Sequence, residues 1–401
     1  MNGNGAQARR RYTLSNCAYL SSNALALNFS TAYLQARGMS GTQIGAAFSL
    51  AAIGSMVVDL GLSAIVDSRM GITSRHVLMA CNAAMVALAL AMPAVGSAAG
   101  IMLVFVGVYG AVLSMQQFSN ALAMDILNSG IPINFGIARG LGSVAHIVVT
   151  LAMGQLIAAR GETRLPWAIA AAGVLSIVAV WRVPPVADSA SRRKPPRGGY
   201  LTLLREDRRI ALMLAGVMLV SIFTSCVSCF MLMIVQNLGG DSRTLSYLLG
   251  FGTFCEVPLF LLYSRIALRF SSKEILLFST VVYFIRCMLY NAARSMTAMF
   301  IAQLLQGFSY SLFFTSGVVF MNEVTSEANK ARGQALLSMV SMCVGSVFSS
   351  AAGGVLLDTV GVRGMLVFNG VCVFCGVLCV SRALLPDILR ERRHAGKAGC
   401  E

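Results

Sequence analysis

Charged side chains are scarce in this sequence. Asp, Glu, Lys and Arg together make up 12% of its 401 residues, about half the share of an ordinary soluble domain. With 57% of the residues hydrophobic and a mean hydropathy of +0.74, the chain has more apolar surface than a soluble fold of this length can bury. The membrane class follows before any motif is read. Other absences narrow the function. No glycine-rich phosphate loop occurs, so ATP-driven pumping by this chain has no support. No nucleophile–base pair or metal cluster stands out in an apolar run, which argues against an enzyme, a bound metal and a cofactor. The eleven cysteines do not alter this. Cys226 and Cys229 form a CxxC, and Cys372, Cys375 and Cys379 follow helical spacing. All five lie in apolar runs without a nearby His or acidic cluster, so they read as small packing residues. The basic start ARRRYTLSNCAYL precedes a segment long enough to span and has no clear small-residue cleavage site, so no cleavable signal is expected.

What is present is a series of apolar runs of membrane length. Twelve candidate spans fall at 12–34, 44–64, 76–95, 101–126, 141–159, 167–181, 210–235, 245–262, 275–290, 296–321, 335–357 and 365–380. They predict an all-α integral membrane protein with twelve transmembrane helices in two pseudo-symmetric six-helix halves. The net charge of +15 does not point to nucleic acid, because the basic residues sit in short gaps between apolar runs. With both termini assigned to one side, 24 Lys and Arg fall on that side, six on the other, and Arg286 inside a span. That asymmetry places both termini in the cytoplasm.

The gap RVPPVADSASRRKPPRGGYLTLLREDRR is long, basic and rich in Pro, Gly and Ser, as a linker is. YLTLLREDRRIAL at its end fits a short interfacial helix. The expected organisation is an amino-terminal six-helix half over 1–181, the linker over 182–209, a carboxy-terminal half over 210–383 and a cytoplasmic tail over 384–401. The tripeptide ARG opens the fifth span at 138–140 and the eleventh at 331–333. Each follows an acidic residue at the end of the preceding span, Asp125 and Glu323, a weak repeat between the halves.

Three ionisable residues lie well inside spans: Asp59, Glu256 and Arg286. A carboxylate near mid-span costs about 2.5–3.5 kcal/mol on insertion scales. Glu256 and Arg286 occupy adjacent spans at depths differing by roughly 8–10 Å, a gap that an extended Arg side chain largely covers. A pair facing a hydrated cavity shares its desolvation; the other reading is a buried brace between helices. Pro258 cannot donate to the carbonyl of Phe254, which leaves polar backbone and a kink beside Glu256. Glu256 is the first candidate proton carrier and Asp59 the next. Asp59 also fits a cytoplasmic gate network with Asp67, Arg69 and Asp125. His146, one turn into the fifth span, reads as a packing histidine or a protonatable one.

Uncharged polar residues form faces on particular spans. Asn16, Tyr19, Asn23, Leu27 and Ser30 follow a 3–4 spacing in the first span, with Asn28 on another face. Gln116, Gln117 and Asn120 lie in the fourth, Thr224, Ser225 and Ser228 in the seventh, and Gln303, Gln306, Tyr310 and Thr315 in the tenth. In lipid such faces must meet protein or water. A lining of amides, hydroxyls and aromatics suits a polar, hydrogen-bonding organic solute, and an Arg suits a carboxylate or another anionic group.

Two six-span halves, a basic central linker and internal termini resemble the major facilitator superfamily. AYLQARGMSGTQIGAAFSLAAIGSMV, LGGDSRTLSYLLGFGTFCEVPLF and QLLQGFSYSLFF resemble its sugar, nucleoside and phenylpropionate permease-like (lactose-permease-like) branch. The likeness extends across nearly the whole chain. VDSRMGITSRHV departs in spacing from the superfamily's Asp-Arg-x-Gly-Arg-Arg signature. Asn120 stands where relatives often place an acid, and QGFSYSLFFTSG has neither the histidine nor the carboxylate that this branch places in span ten.

The resemblance implies a monomeric secondary transporter of the cytoplasmic membrane, working by rocker-type alternating access. It would move a small solute such as a sugar, nucleoside or aromatic acid by proton-coupled uptake. Spans one, four, seven and ten line the cavity in this superfamily. The substrate and proton pathway is therefore expected at Glu256, Arg286, Asn23, Tyr19, Gln117, Asn120, Gln306 and Tyr310. The cytoplasmic gate is expected at Asp59, Asp67, Arg69, Arg75, Asp125, Arg139, Glu323 and Arg332. A drug or metabolite exporter of the same fold and a non-transporting solute sensor are the alternatives.

Overall fold

The computed structural model describes residues 3–67, 72–131, 135–184, 208–325 and 330–398. Among these residues the regular structure is helical, without strands. The helices are α1 (Gly3–Ala36), α2 (Gly41–Asp67), α3 (Ser74–Ala91), α4 (Ala98–Asn128), α5 (Phe135–Arg160), α6 (Leu165–Trp181), α7 (Arg208–Asn237), α8 (Ser242–Ile266) and α9 (Ser272–Ala292). Next comes α10 (Met296–Val324), which contains a π-helical turn at Gly307–Ser311. The last helical stretch is divided at Gly361, where φ is 70° and ψ −178°. That conformation belongs to glycine. It separates α11 (330–360) from α12 (362–398).

Among the described residues, ten helical stretches are long and apolar enough to cross a membrane. One of them, Gly333–Arg392, holds both α11 and α12, and the more polar α1 completes the twelve passes. Large apolar side chains stand on the surface, Leu103 at 74% exposure and Leu261 at 71%. Lipid tails can cover such residues where water would penalise them. Several helix starts are capped by a serine side chain: Ser97 at α4, Ser271 at α9 and Ser295 at α10. At α9, Ser271 Oγ accepts from the Glu274 N–H at 3.3 Å while the Glu274 carboxylate accepts from the Ser271 N–H at 3.0 Å, a reciprocal capping box.

The chain forms two compact units. The first comprises Met1–Arg192, Ser228–Gly250 and Ser350–Asp358. In it α1 packs on α5 and α6, α3 on α4 and α6, and α2 on α4, around edge-to-face contacts of Phe48 with Phe105 and Tyr109. It also takes in the ends of α7, α8 and α11. Thr31 Oγ1 donates to the Cys229 carbonyl at 2.6 Å, Gln35 Nε2 to Gln236 Oε1 at 3.1 Å, and Gln155 Nε2 to the Tyr247 hydroxyl at 2.7 Å.

The second unit comprises Arg193–Val227, Phe251–Ser349 and Thr359–Glu401. Its core holds Phe223, Tyr283, Tyr290 and Phe313 in edge-to-face contacts. Residues 384–398 continue α12 as helix past Pro386, and ion pairs tie this extension to the unit. Arg209 pairs with Asp387 at 2.6 Å, Lys273 with Glu391 at 2.5 Å, and Arg392 with Glu274 at 2.6 Å.

Candidate functional site

The second unit brings two of the three intramembrane charges to one helix. Arg286 on α9 is 4% exposed. Its Nη2 donates to Gln303 Oε1 at 2.8 Å and to the Tyr290 hydroxyl at 3.2 Å. Its guanidinium carbon lies 5.3 Å from the Tyr290 ring centroid and 5.9 Å from that of Phe223, within cation–π range of both. A buried guanidinium is costly unless its charge is compensated. Here two aromatic faces, a phenol and an amide oxygen do this.

One turn along α10 from Gln303, Gln306 Nε2 donates to the Glu256 carboxylate at 2.6 Å. Gln303 and Gln306 are neighbours on the surface of α10, so they join guanidinium and carboxylate in a ladder from α9 through α10 to α8. Each charged group thus has a hydrogen bond to a glutamine of α10, and Arg286 has another to Tyr290. Two buried atoms of the ladder lack a hydrogen-bond partner among the described residues, Arg286 Nε and Gln306 Oε1. One is a donor and the other an acceptor.

Local sequence explains how the helices come this close. A Cβ on Gly307 would fall 2.3 Å from the Cys255 carbonyl oxygen, so only glycine permits the crossing of α8 and α10 at this point. The π-helical turn begins at Gly307, and π-bulges recur at functional sites. Within it, Ser311 Oγ donates to the Glu256 carbonyl at 3.2 Å. Tyr310 lies edge-on to Phe260 and stacked on Phe314.

The other expected residues are distributed as follows. In the first unit Tyr19 is buried and Asn23 half-buried on α1, while Gln117 and Asn120 are exposed on α4. Asp59 is half-buried, and its Oδ1 has no hydrogen-bond partner among the described residues. Asp125 is half-buried near the end of α4, and Arg139 is exposed near the start of α5. Arg75 Nη2 donates to the Trp181 carbonyl. His146 Nε2 meets the Asn28 amide at 3.2 Å, and the same amide donates to Thr150 at 2.9 Å. In the second unit Glu323 accepts from Ser272 Oγ. Arg69, the side chains of Asp67 and Arg332, and most of the linker, with residues 200–207 of its expected interfacial helix, lie outside the described residues; residues 208–212 open α7. Tyr290 and Phe223 were not expected in the site. Tyr290 is legible afterwards as the i+4 neighbour of Arg286 on one helix. Phe223 is on another helix and leaves no such signal.

A family model described as the MFS_1 like family matches residues 18–368. The chain belongs to the MFS_1-like family. Its major facilitator membership agrees with the helical architecture, and similar proteins are transporters. The maltose permease of Geobacillus stearothermophilus is 23% identical over 66% of this chain and 65% of its own length, just under two thirds. The probable 3-phenylpropionic acid transporter of Escherichia coli (strain K12) is 24% identical over 84% of this chain and 88% of its own. Among solved structures, the nucleoside transporter NupG superposes with a TM-score of 0.79 at 17% identity, covering 96% of this chain and 99% of that one. A bacterial homologue of the lysosomal transporter Spinster, in an inward-facing and unoccupied conformation, gives 0.66 at 13% identity over 96% and 99%. At these identities the structural likeness concerns the fold. This MFS_1-like protein is thus a multi-pass membrane protein of a family whose similar members are transporters.

Proposed function

We propose that the protein is a secondary transporter that moves a small polar organic solute across the cytoplasmic membrane by alternating access. Uptake is coupled to protons, the protein acts as a monomer, and both termini and the 182–209 linker lie in the cytoplasm. The observation that carries this reading is the ladder Arg286–Gln303–Gln306–Glu256 in membrane-spanning helices. Ionisable residues kept inside a membrane mark solute and ion pathways by default. Arg286 Nε and Gln306 Oε1 offer a donor and an acceptor that a solute with both kinds of group can satisfy. Neighbouring Phe223, Tyr283 and Tyr290 suit a ring. Sugars, nucleosides and aromatic acids meet these requirements, and the relatives' names fall in the same classes.

In this reading Glu256 carries the proton, Tyr19, Asn23, Gln117, Asn120 and Tyr310 line the path, and the acidic and basic residues near the cytoplasmic helix ends gate it. The test is a thermal-stability screen of the purified protein against the three solute classes, followed by counterflow of the best solute in liposomes. A ligand at 100 times its Kd adds about 2.7 kcal/mol, which a melting curve resolves. A stabilising solute that shows no counterflow would turn the reading into a sensor.

A further inference from the structure

Asp358 ends the portion of α11 in the first unit, three residues before the break at Gly361. Its carboxylate lies on the N-terminus of α2. The Gly41 N–H donates to Oδ1 at 2.9 Å, the Thr42 N–H to Oδ2 at 2.7 Å, and the Thr42 hydroxyl to Oδ2 at 2.6 Å. The first N–H groups of a helix have no intrahelical acceptor and carry the positive end of its dipole. Ser40, as local cap, serves only the Gln43 N–H, at 3.3 Å. The two that remain, Gly41 and Thr42, are taken by a side chain more than 300 residues away. Partial burial pushes the Asp358 carboxyl up, but the bonds from Thr42, Gly41 and Ser40 outweigh it and hold the group below the usual carboxylate range.

One turn further along, α2 and α11 touch backbone to backbone. A Cβ on Gly45 would fall 2.0 Å from the Ser350 carbonyl oxygen, and one on Gly354 would fall 2.3 Å from that of Gly41. Gly41 and Gly45 therefore mesh with Ser350, Gly354 and Asp358, each one turn from the next. A seam this tight does not stretch. It is either closed or parted, and parting it strips the α2 N-terminus of its acceptor. A local cap would move with its helix and cost nothing on opening; a cap lent by another helix is lost.

We propose that Asp358 is a latch: its carboxylate on the α2 N-terminus holds the α2–α11 seam shut and sets how readily this face of the transporter opens. The proposal rests on the alternating-access reading. By the alternation of helix directions, the Thr31–Cys229 and Gln155–Tyr247 bonds belong to the same membrane face. They do not touch Asp358, yet they must part in the same movement.

Hydrogen exchange on the purified full chain tests this in Asp358→Asn, which keeps the shape and removes the charge. Exchange at Gly41 and Thr42 should rise about fivefold, the usual worth of an N-cap. Exchange in 31–36, 229–236 and 242–250 should rise with it, because those segments part when the seam does. A rise confined to 41–44, or none, would reduce Asp358 to a local cap and overturn the proposal. Should Asp358→Asn not fold, Thr42→Val removes a single hydroxyl donor; the same spread at smaller amplitude supports the latch, and a confined change or none overturns it. Solute counterflow by the unaltered protein is measured separately. Its absence would sink the transport reading, while the exchange pattern would still show whether the seam opens as one.

Discussion

The Gln306 amide meets the Glu256 carboxylate at 2.6 Å across a helix crossing that the next residue, Gly307, makes possible. A Cβ at Gly307 would collide with the Cys255 backbone, which cannot move aside as a side-chain tip can. Gly307→Ala should therefore push α8 from α10 and lengthen that hydrogen bond. Overpacking of this kind costs about 1–3 kcal/mol, so the protein should remain folded with a lower melting midpoint. Solute affinity should fall at least about tenfold, corresponding to about 1.4 kcal/mol. Unchanged affinity would show that the spacing of α8 and α10 does not shape the site.

Glu256→Gln separates proton carriage from solute binding. Exchange of solute across the membrane needs no net proton movement. If Glu256 carries the proton, the variant should lose concentrative uptake and retain counterflow in liposomes. Full concentrative uptake would exclude Glu256 and pass the role to Asp59, whose half-buried carboxylate on α2 is the next intramembrane acid. Neutralising Arg286 as well tests the brace: a double variant that recovers what the single variant lost would mark the two charges as a structural pair.

Orientation rests on the charge asymmetry of the gaps. Single cysteines placed in the 185–207 segment of a background with its native cysteines replaced should resist a membrane-impermeant reagent in intact cells and react after permeabilisation. A cysteine at Arg243, in the first turn of α8, should react in intact cells. The reverse pattern would invert the topology.

The extension of α12 should respond to acid. The Ser271 N–H bonded to the Glu274 carboxylate, with Arg392 beside it, holds this group below the usual carboxylate range. A depressed folded pKa means that the stabilisation is present above the unfolded value, about 4.3, and is lost as pH falls through the folded value. The melting midpoint of Glu274→Gln should therefore lie below that of the unaltered protein at pH 7 and pH 5. The difference should close below about pH 4. A gap that persists at pH 3 would mean that the ionised carboxylate is not what the variant removes.

The sequence by itself determined the membrane class, the passes and the residues that had to be explained. Apolar run length follows from bilayer thickness, and a charge inside such a run stands out because lipid penalises it. Glu256, Arg286 and the polar positions of the tenth span were legible on those grounds alone. The sequence also offered α11 and α12 as two spans, although a single helical stretch carries both and only Gly361 parts them.

Tertiary structure decided which groups share their bonds. Glu256 and Arg286 each bond to a glutamine of α10, and the glycine crossing at Gly307 brings α8 close enough for the Gln306 amide to reach the carboxylate. Phe223 under the guanidinium and Asp358 on the α2 N-terminus had no signal in the chain. Periodicity reports which face of a helix is polar, whereas a contact between helices depends on the register of two of them, and no single segment encodes that.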